Sequence, residues 1–250
     1  MTGKVAVVTG ASRGIGRATA LALAAEGFSL FLAAEGTAEE LTSACVEARE
    51  RGAPAATFGV FDLGQPGEAE RMVAEAVAQC GRVDVLVNNA GIRCRKPFGA
   101  FTRDDFAQVV GVNLAAAFFA SQAVLPAMRA QGGGRIIQIA SQMGSVAAEE
   151  SALYGLTKAA LIHLTKNMAF ELAKDGIQVN AVSPGPIATK FLLDSWGAQP
   201  GKIETMTGRV PAGRFGQPDE IAEAIVFLAT AKGRFMQGHN LVVDGGYIIH

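Results

Sequence analysis

The chain has little of what staples or metallates a protein. Three cysteines, Cys45, Cys80 and Cys94, are scattered through 250 residues, without the paired spacing of a zinc site. They read as reduced thiols of a cytosolic protein, not as a disulfide framework. The three histidines, His163, His239 and His250, form no set with Asp or Glu at zinc spacing, so no metal site is expected. Net charge is −1, from 22 basic and 23 acidic residues. That near-balance gives no reason to expect nucleic acid or an anionic membrane as partner. Long hydrophobic runs are scarce too. The apolar run at the N-terminus is too short for a signal peptide and ends in glycines. The stretch from Leu114 to Met128 is interrupted by Ser121, Gln122 and Pro126. It reads as a buried or interface helix, not a membrane span. No Pro/Ser linker, low-complexity tract or repeat divides the chain. One domain over residues 1–250 is expected, and 50% apolar residues suffice for a substantial core.

What is present is alternation. Strand-like runs at Lys4–Val8, Ser29–Ala33, Ala55–Phe61, Val83–Val87, Arg135–Ala140, Ile177–Val182 and Asn240–Val243 are separated by helical stretches. The pattern predicts a parallel α/β sheet with right-handed crossovers and helices on both faces. A TIM barrel shares the alternation and the length. The first turn argues against it. Lys4–Val8 runs into Thr9, Gly10, Ala11, Ser12, Arg13, Gly14, Ile15 and Gly16, and Arg17–Glu26 then reads as helix. Glycines between a first strand and a helix let backbone approach a pyrophosphate, which the free N–H groups of the helix N-terminus attract. A glycine turn alone is weak evidence; its place in a doubly wound sheet makes it informative.

A second group lies in the chain's other half. Tyr154 and Lys158 are four residues apart in a helical stretch, which places them on one face. An ammonium beside a phenol favours the phenolate. Ser141 precedes the tyrosine at the end of a strand. Together these pieces resemble the short-chain dehydrogenase/reductase family. The resemblance runs from about Lys4 to Gly246 and includes the glycine loop, Asp62, Asn88-Asn89-Ala90-Gly91, Asn113, Ser141, Tyr154-x-x-x-Lys158 and Pro184-Gly185. It implies a single-domain Rossmann-type doubly wound sheet, a homotetramer, and a cytoplasmic oxidoreductase using NAD or NADP to interconvert a secondary alcohol and a ketone.

The resemblance also assigns residues. Gly10, Ser12, Arg13, Gly14, Ile15 and Gly16 would hold the cofactor's phosphates. Asp62, with Leu63 beside it, would accept the adenine amino group, or serve as an ordinary cap or turn residue. Asn89, Ala90 and Gly91 would pass close to the adenine ribose, and Pro184, Gly185, Ile187 and Thr189 would support the nicotinamide. The family's NAD-selecting aspartate position falls at Ala34; Glu35 beside it points to NAD, or is an ordinary solvated turn carboxylate, while Arg13 is placed to hold the 2′-phosphate of NADP. The two point in opposite directions and leave the choice open.

Tyr154 would be the acid/base, Ser141 the donor orienting the substrate oxygen, and Lys158 both an electrostatic aid and a ribose ligand. Asn113 would hold a water linking Lys158 to solvent. For substrate the residues expected are Ser141, Gln142, Met143 and Glu149, with Arg95, Lys96 and Arg93 as a basic loop for a carboxylate, or as a solvated charge cluster. Residues 187–214 should form a lid with Phe191, Leu192 and Trp196 as apolar contacts. Arg95-Lys96-Pro97 resembles the loop of gluconate-type sugar-acid dehydrogenases. The alternative is a 3-oxoacyl-carrier-protein reductase, which needs basic surface where this chain has Gly132 and Asp175. A dinucleotide-binding sensor without turnover is the reading from another class.

Overall fold

The computed structural model describes residues 3–190, 192 and 201–249. Seven parallel strands form one sheet, in the order β3-β2-β1-β4-β5-β6-β7. They are β1 (Val5–Thr9), β2 (Ser29–Ala34), β3 (Ala56–Val60), β4 (Val85–Asn88), β5 (Gly134–Ile139), β6 (Ile177–Pro184) and β7 (Asn240–Val243). The order reverses between β1 and β4, the switch point where open α/β sheets bind ligands. The α-helices whose bounds lie among the described residues are α1 (Gly14–Ala25), α2 (Ala38–Glu50), α3 (Glu68–Cys80), α4 (Arg103–Val110), α5 (Ala116–Ala130), α6 (Ala152–Leu172), α7 (Lys202–Thr207) and α8 (Pro218–Ala229). The doubly wound sheet is therefore the fold, and the barrel is not.

Burial on both faces explains the unbroken apolar strands. Along β1, Ala6 and Val8 join one core with α1, α2 and α8. Val5 and Val7 join the opposite core with α3 and α5. Successive side chains point to opposite faces, so a strand covered on both sides cannot alternate with polar residues. Each fully buried Val or Leu contributes roughly 1.5–3 kcal/mol.

Two local departures bear on the site. The first helix begins at Gly14, inside the glycine loop, and not at Arg17. The second lies between α4 and α5, where Gly111–Ala115 forms a π-helical turn instead of continuing the α-helix. Such a turn re-aims one side chain inside a helix, and here that residue is Asn113. The combined helix Arg103–Ala130 is long and apolar enough to cross a membrane. Ala116, Ala120, Val124 and Met128 instead bury one stripe of it in the core beside α3, as expected of a packed helix.

Candidate active site

The glycine loop is tight for a stated reason. A Cβ on Gly16 would stand 2.1 Å from the Gly10 carbonyl oxygen, and Gly10 and Gly14 have φ of +64° and +55°. Asn89 locks the loop to β4: its Nδ2 donates to the carbonyls of Thr9 (2.8 Å) and Gly10 (3.3 Å). Thr9 Oγ1 in turn accepts from the N–H groups of Asn89 and Ala90, both at 2.9 Å. The N-cap of α1 is Arg13, whose side chain makes no cap, and the first turn holds no acidic residue. Other helices are capped internally: Thr37 on α2, and a Thr102–Asp105 capping box on α4. The open end of α1 thus keeps its N–H groups and positive dipole free for an anion.

That end opens into a cleft of about 310 Å³ along the C-terminal edge of the sheet, within the range of ligand pockets. Its wall includes Gly10, Ser12, Arg13, Gly14, Ile15, Gly16, Glu35, Leu63, Asn89, Ala90, Gly91, Ser141, Gln142, Met143, Tyr154, Lys158, Pro184, Gly185, Ile187, Thr189 and Leu192. These residues are distant in sequence and meet because parallel strands end on one edge. A crevice with an uncapped helix end suits a dinucleotide, and both Arg13 of the glycine loop and Glu35, which follows β2, line it.

Several expected residues sit elsewhere. Asp62 is exposed and is not part of the wall. Its carboxylate accepts from Gly64 N (3.0 Å) and Gln65 Nε2 (3.1 Å), closing its own turn, while the neighbouring Leu63 lines the cleft. Arg95 and Lys96 also leave the wall. Lys96 Nζ lies 2.6 Å from Asp105, and Arg95 Nη2 lies 3.3 Å from Glu150. Lys96, with the N–H and hydroxyl of Thr102, holds the Asp105 carboxyl well below the usual carboxylate range. Glu149 is exposed and outside the wall. Phe191 and Trp196 lie outside the described residues. Of the expected lid, Leu192 packs with Met206, Val210 and Phe215.

Tyr154 and Lys158 are carried on α6. Lys158, Leu161, Thr165, Ala169 and Leu172 are buried along one face, at the spacing of a helical stripe. Lys158 Nζ donates to the carbonyl of Ile139 at 2.7 Å and lies 5.6 Å from the centre of the Tyr154 ring. Burial pushes the Lys158 ammonium below the ordinary lysine value; Tyr154 opposes this and Arg93 adds to it. Ser141 follows β5, and its Oγ accepts from Met143 N at 3.2 Å.

Asn113 is almost fully buried and acts as a clamp. Its Oδ1 accepts from Ile92 N (2.8 Å), and its Nδ2 donates to Ile92 O (2.9 Å) and Thr157 Oγ1 (3.3 Å). Both faces of the amide are thus tied to the loop after β4 and to α6. Thr157 had no role in the sequence reading. Its place between Tyr154 and Lys158 was visible, but its partner lies 44 residues away. Val112, Pro186 and Ile139, also on the wall, are apolar residues with no local pattern to mark them.

Known proteins match nearly the whole chain. A family profile described as enoyl-(acyl carrier protein) reductase covers residues 10–248. An L-rhamnose 1-dehydrogenase (NAD(P)(+)) of Azotobacter vinelandii is 41% identical over 99% of this chain and 97% of its own length. A 3-oxoacyl-acyl-carrier-protein reductase of Staphylococcus aureus is 38% identical over 97% of each. Among solved structures, a gluconate 5-dehydrogenase of Burkholderia cenocepacia in complex with NADP and tartrate superposes with a TM-score of 0.92. It is 37% identical and covers 100% of this chain and 97% of that one. With the seven-stranded parallel sheet and the cleft at its switch point, these matches show that the chain belongs to the short-chain dehydrogenase/reductase family and is an NAD(P)-dependent oxidoreductase.

Proposed function

We propose that the chain interconverts a secondary alcohol and a ketone on a small polyhydroxylated compound, a sugar or sugar acid, with Tyr154 as the acid/base. The observation that carries this reading is convergence. Ser141 from the end of β5 and Tyr154 with Lys158 from α6 line the same cleft as the glycine loop, and Asn113 from the π turn ties the loop after β4 to α6 through Ile92 and Thr157. The names of the relatives, a rhamnose dehydrogenase and a gluconate dehydrogenase, support the substrate class.

The residues fit a nicotinamide dinucleotide. Gly10 to Gly16 and the open end of α1 would hold its phosphates, Asn89 to Gly91 its adenine ribose, and Pro184, Gly185, Ile187 and Thr189 its nicotinamide. When bound, the cofactor supplies the hydride acceptor or donor. The chain's own part is to fix the substrate and move a proton. Ser141 Oγ donates to the substrate oxygen. Tyr154 Oη passes a proton to that oxygen in reduction and removes it in oxidation. Lys158, fixed by the Ile139 carbonyl, places positive charge near the phenol and favours its ionised form. Asn113 keeps the loop after β4 and α6 in register, so these groups stay within reach of one oxygen.

The same fold carries carrier-protein reductases, and the Staphylococcus aureus relative supports that reading. Against it, Asp175 is acidic and paired with Arg129 at 2.7 Å, where basic surface would be wanted for an acidic carrier protein. Self-association is part of the proposal. Phe106, Phe118 and Phe119 are about half exposed on the outer side of α4 and α5, and an apolar face of this kind supports an interface in a homotetramer. Three free thiols support a reducing compartment, the cytoplasm.

The test is NAD(P)H absorbance with sugars, sugar acids, simple ketones and a 3-oxoacyl thioester, with both cofactors, for the wild type and Tyr154→Phe. Tyr154→Phe should keep its fold and cofactor affinity and lose ~10²–10⁴-fold in turnover. Turnover within about threefold of the wild type would remove Tyr154 from the mechanism. Preference for the thioester would move the substrate to the carrier-protein class.

A further inference from the structure

The basic loop after β4 divides three ways, and only one of its cations faces the cleft. Lys96 is paired with Asp105 and Arg95 with Glu150. Arg93 lines the cleft wall and makes no ion pair among the described residues. Its guanidinium lies over the Tyr154 ring, with Cζ 4.8 Å from the ring centre. Among the described residues its one side-chain hydrogen bond is to the Met143 thioether, from Nη2 at 3.1 Å. A guanidinium carries five N–H donors in a planar fork, whereas a thioether sulfur is a weak acceptor. The side chain is therefore poised but poorly satisfied.

Its base is firmly held. Arg93 follows Ile92, whose N–H and carbonyl are both bonded to Asn113. The tip rests on Tyr154, an arrangement that steers it without supplying an oxygen acceptor. The local charge is one-sided as well. Among the described residues, the wall near Tyr154 presents Arg93 and Lys158 and no carboxylate; the one acidic side chain among them, Glu35, follows β2. Two cations beside Tyr154, with the Glu35 carboxylate away at the β2 end, leave an electrostatic demand there unmet among the described residues, and a carboxylate matches the guanidinium fork bidentately.

We propose that Arg93 is the specificity-determining residue of this active site. It selects substrates that bear a carboxylate a few bonds from the reacting carbinol or ketone. The guanidinium exchanges the Met143 sulfur for the two carboxylate oxygens while Tyr154 holds the reacting oxygen. This rests on the assignment of Tyr154 as acid/base, because that assignment places the reacting carbon beside Arg93. It also moves the anion site from Arg95 and Lys96 to a residue two or three positions earlier.

The experiment compares gluconate and tartrate, which carry carboxylates, with sorbitol, which matches gluconate except that a hydroxymethyl replaces the carboxylate. Each is titrated calorimetrically into the enzyme saturated with NADP, for the wild type, Arg93→Gln, Arg93→Lys and Arg95→Ala. Arg93→Gln should weaken gluconate and tartrate at least ~10-fold, the lower end for hydrogen bonds to a charged group, and change sorbitol by less than about threefold. Arg93→Lys, which keeps the charge but not the fork, should fall between. Arg95→Ala removes only a half-exposed ion pair and should stay within about twofold of the wild type.

Equal losses for gluconate and sorbitol would make Arg93 structural and overturn the proposal. So would wild-type enzyme that binds neither carboxylate, or Arg93→Gln binding them as wild type does. Arg93-dependent carboxylate binding without hydride transfer to or from any alcohol or ketone leaves the anion site standing and removes the acid/base reading. Hydride transfer on neutral sugars with no Arg93-dependent binding does the reverse.

Discussion

Asn113→Ala tests whether the π turn exists to clamp the loop that carries Arg93. The substitution removes both bonds to Ile92, at 2.8 and 2.9 Å, and a longer one to Thr157 at 3.3 Å. Ile92 is half-buried, so water can reach part of the space left behind. Each lost bond should then cost near the ordinary net value of ~1 kcal/mol, not the full penalty of an orphaned buried group. Two good bonds and one weak one sum to roughly 2–3 kcal/mol. At about 2–4 °C per kcal/mol for a chain of this size, Tm should fall by about 4–12 °C. Activity should suffer more than stability. The loop from Gly91 to Arg93 flanks Tyr154, and a displacement of about 1 Å near reacting groups can cost ~10²-fold. Differential scanning calorimetry gives the first quantity and steady-state kcat/KM the second. Asn113→Asp separates the contributions, since it keeps an acceptor for Ile92 N–H but loses the donor to Ile92 O. A Tm within about 1 °C of the wild type, with kcat/KM within about threefold, would refute the clamp.

Gly16→Ala places a Cβ 2.1 Å from the Gly10 oxygen and 2.5 Å from Asn89 Nδ2. Backbone must move, so cofactor affinity should fall more than ~10-fold and stability by ~1–3 kcal/mol, read by calorimetric titration and melting. Gly81→Ala is the control: its φ of +79° is strained but open space surrounds it, so cofactor affinity should not change. Glu35→Arg should shift the ratio of kcat/KM for the two cofactors towards NADP, because a guanidinium pairs with a 2′-phosphate that a carboxylate repels; an unchanged ratio would place Glu35 outside the adenosine end. Lys158→Met should abolish turnover and alter the pH dependence of stability. Burial lowers the folded pKa of Lys158 below its ordinary 10.5, so the unfolded chain binds more protons in that interval and wild-type stability rises with pH across it. The Tm of the variant minus that of the wild type should therefore shrink as pH rises from neutral towards 10.5. A difference that is flat with pH would mean that Lys158 is not penalised by burial.

Sequence alone determined the layers, and the reason is local. Strands buried on both faces must be continuously apolar, and a turn such as that at Gly10 and Gly16 admits no side chain. Both constraints leave their mark on consecutive residues. Strand ends came within a residue or two, and the glycine loop, Asn89 to Gly91, Ser141, Tyr154 and Lys158 were legible together because each stands at a strand end or on one helix face. Tertiary structure decided which charges are free. Arg93, Arg95 and Lys96 are near neighbours of similar chemistry. Arg95 meets Glu150, 55 residues on, and Lys96 meets the capping carboxylate of α4. Arg93 alone turns to Tyr154. Nothing in the loop's own pattern distinguishes them, because an ion pair depends on where a distant backbone delivers its partner. Asp62 and Asn113 teach the same lesson. Asp62 closes its own turn with Gly64 and Gln65, whereas Asn113, re-aimed by a π turn, takes partners 21 and 44 residues away, since hydrogen-bonding groups take whatever partners the fold brings within 3 Å or so.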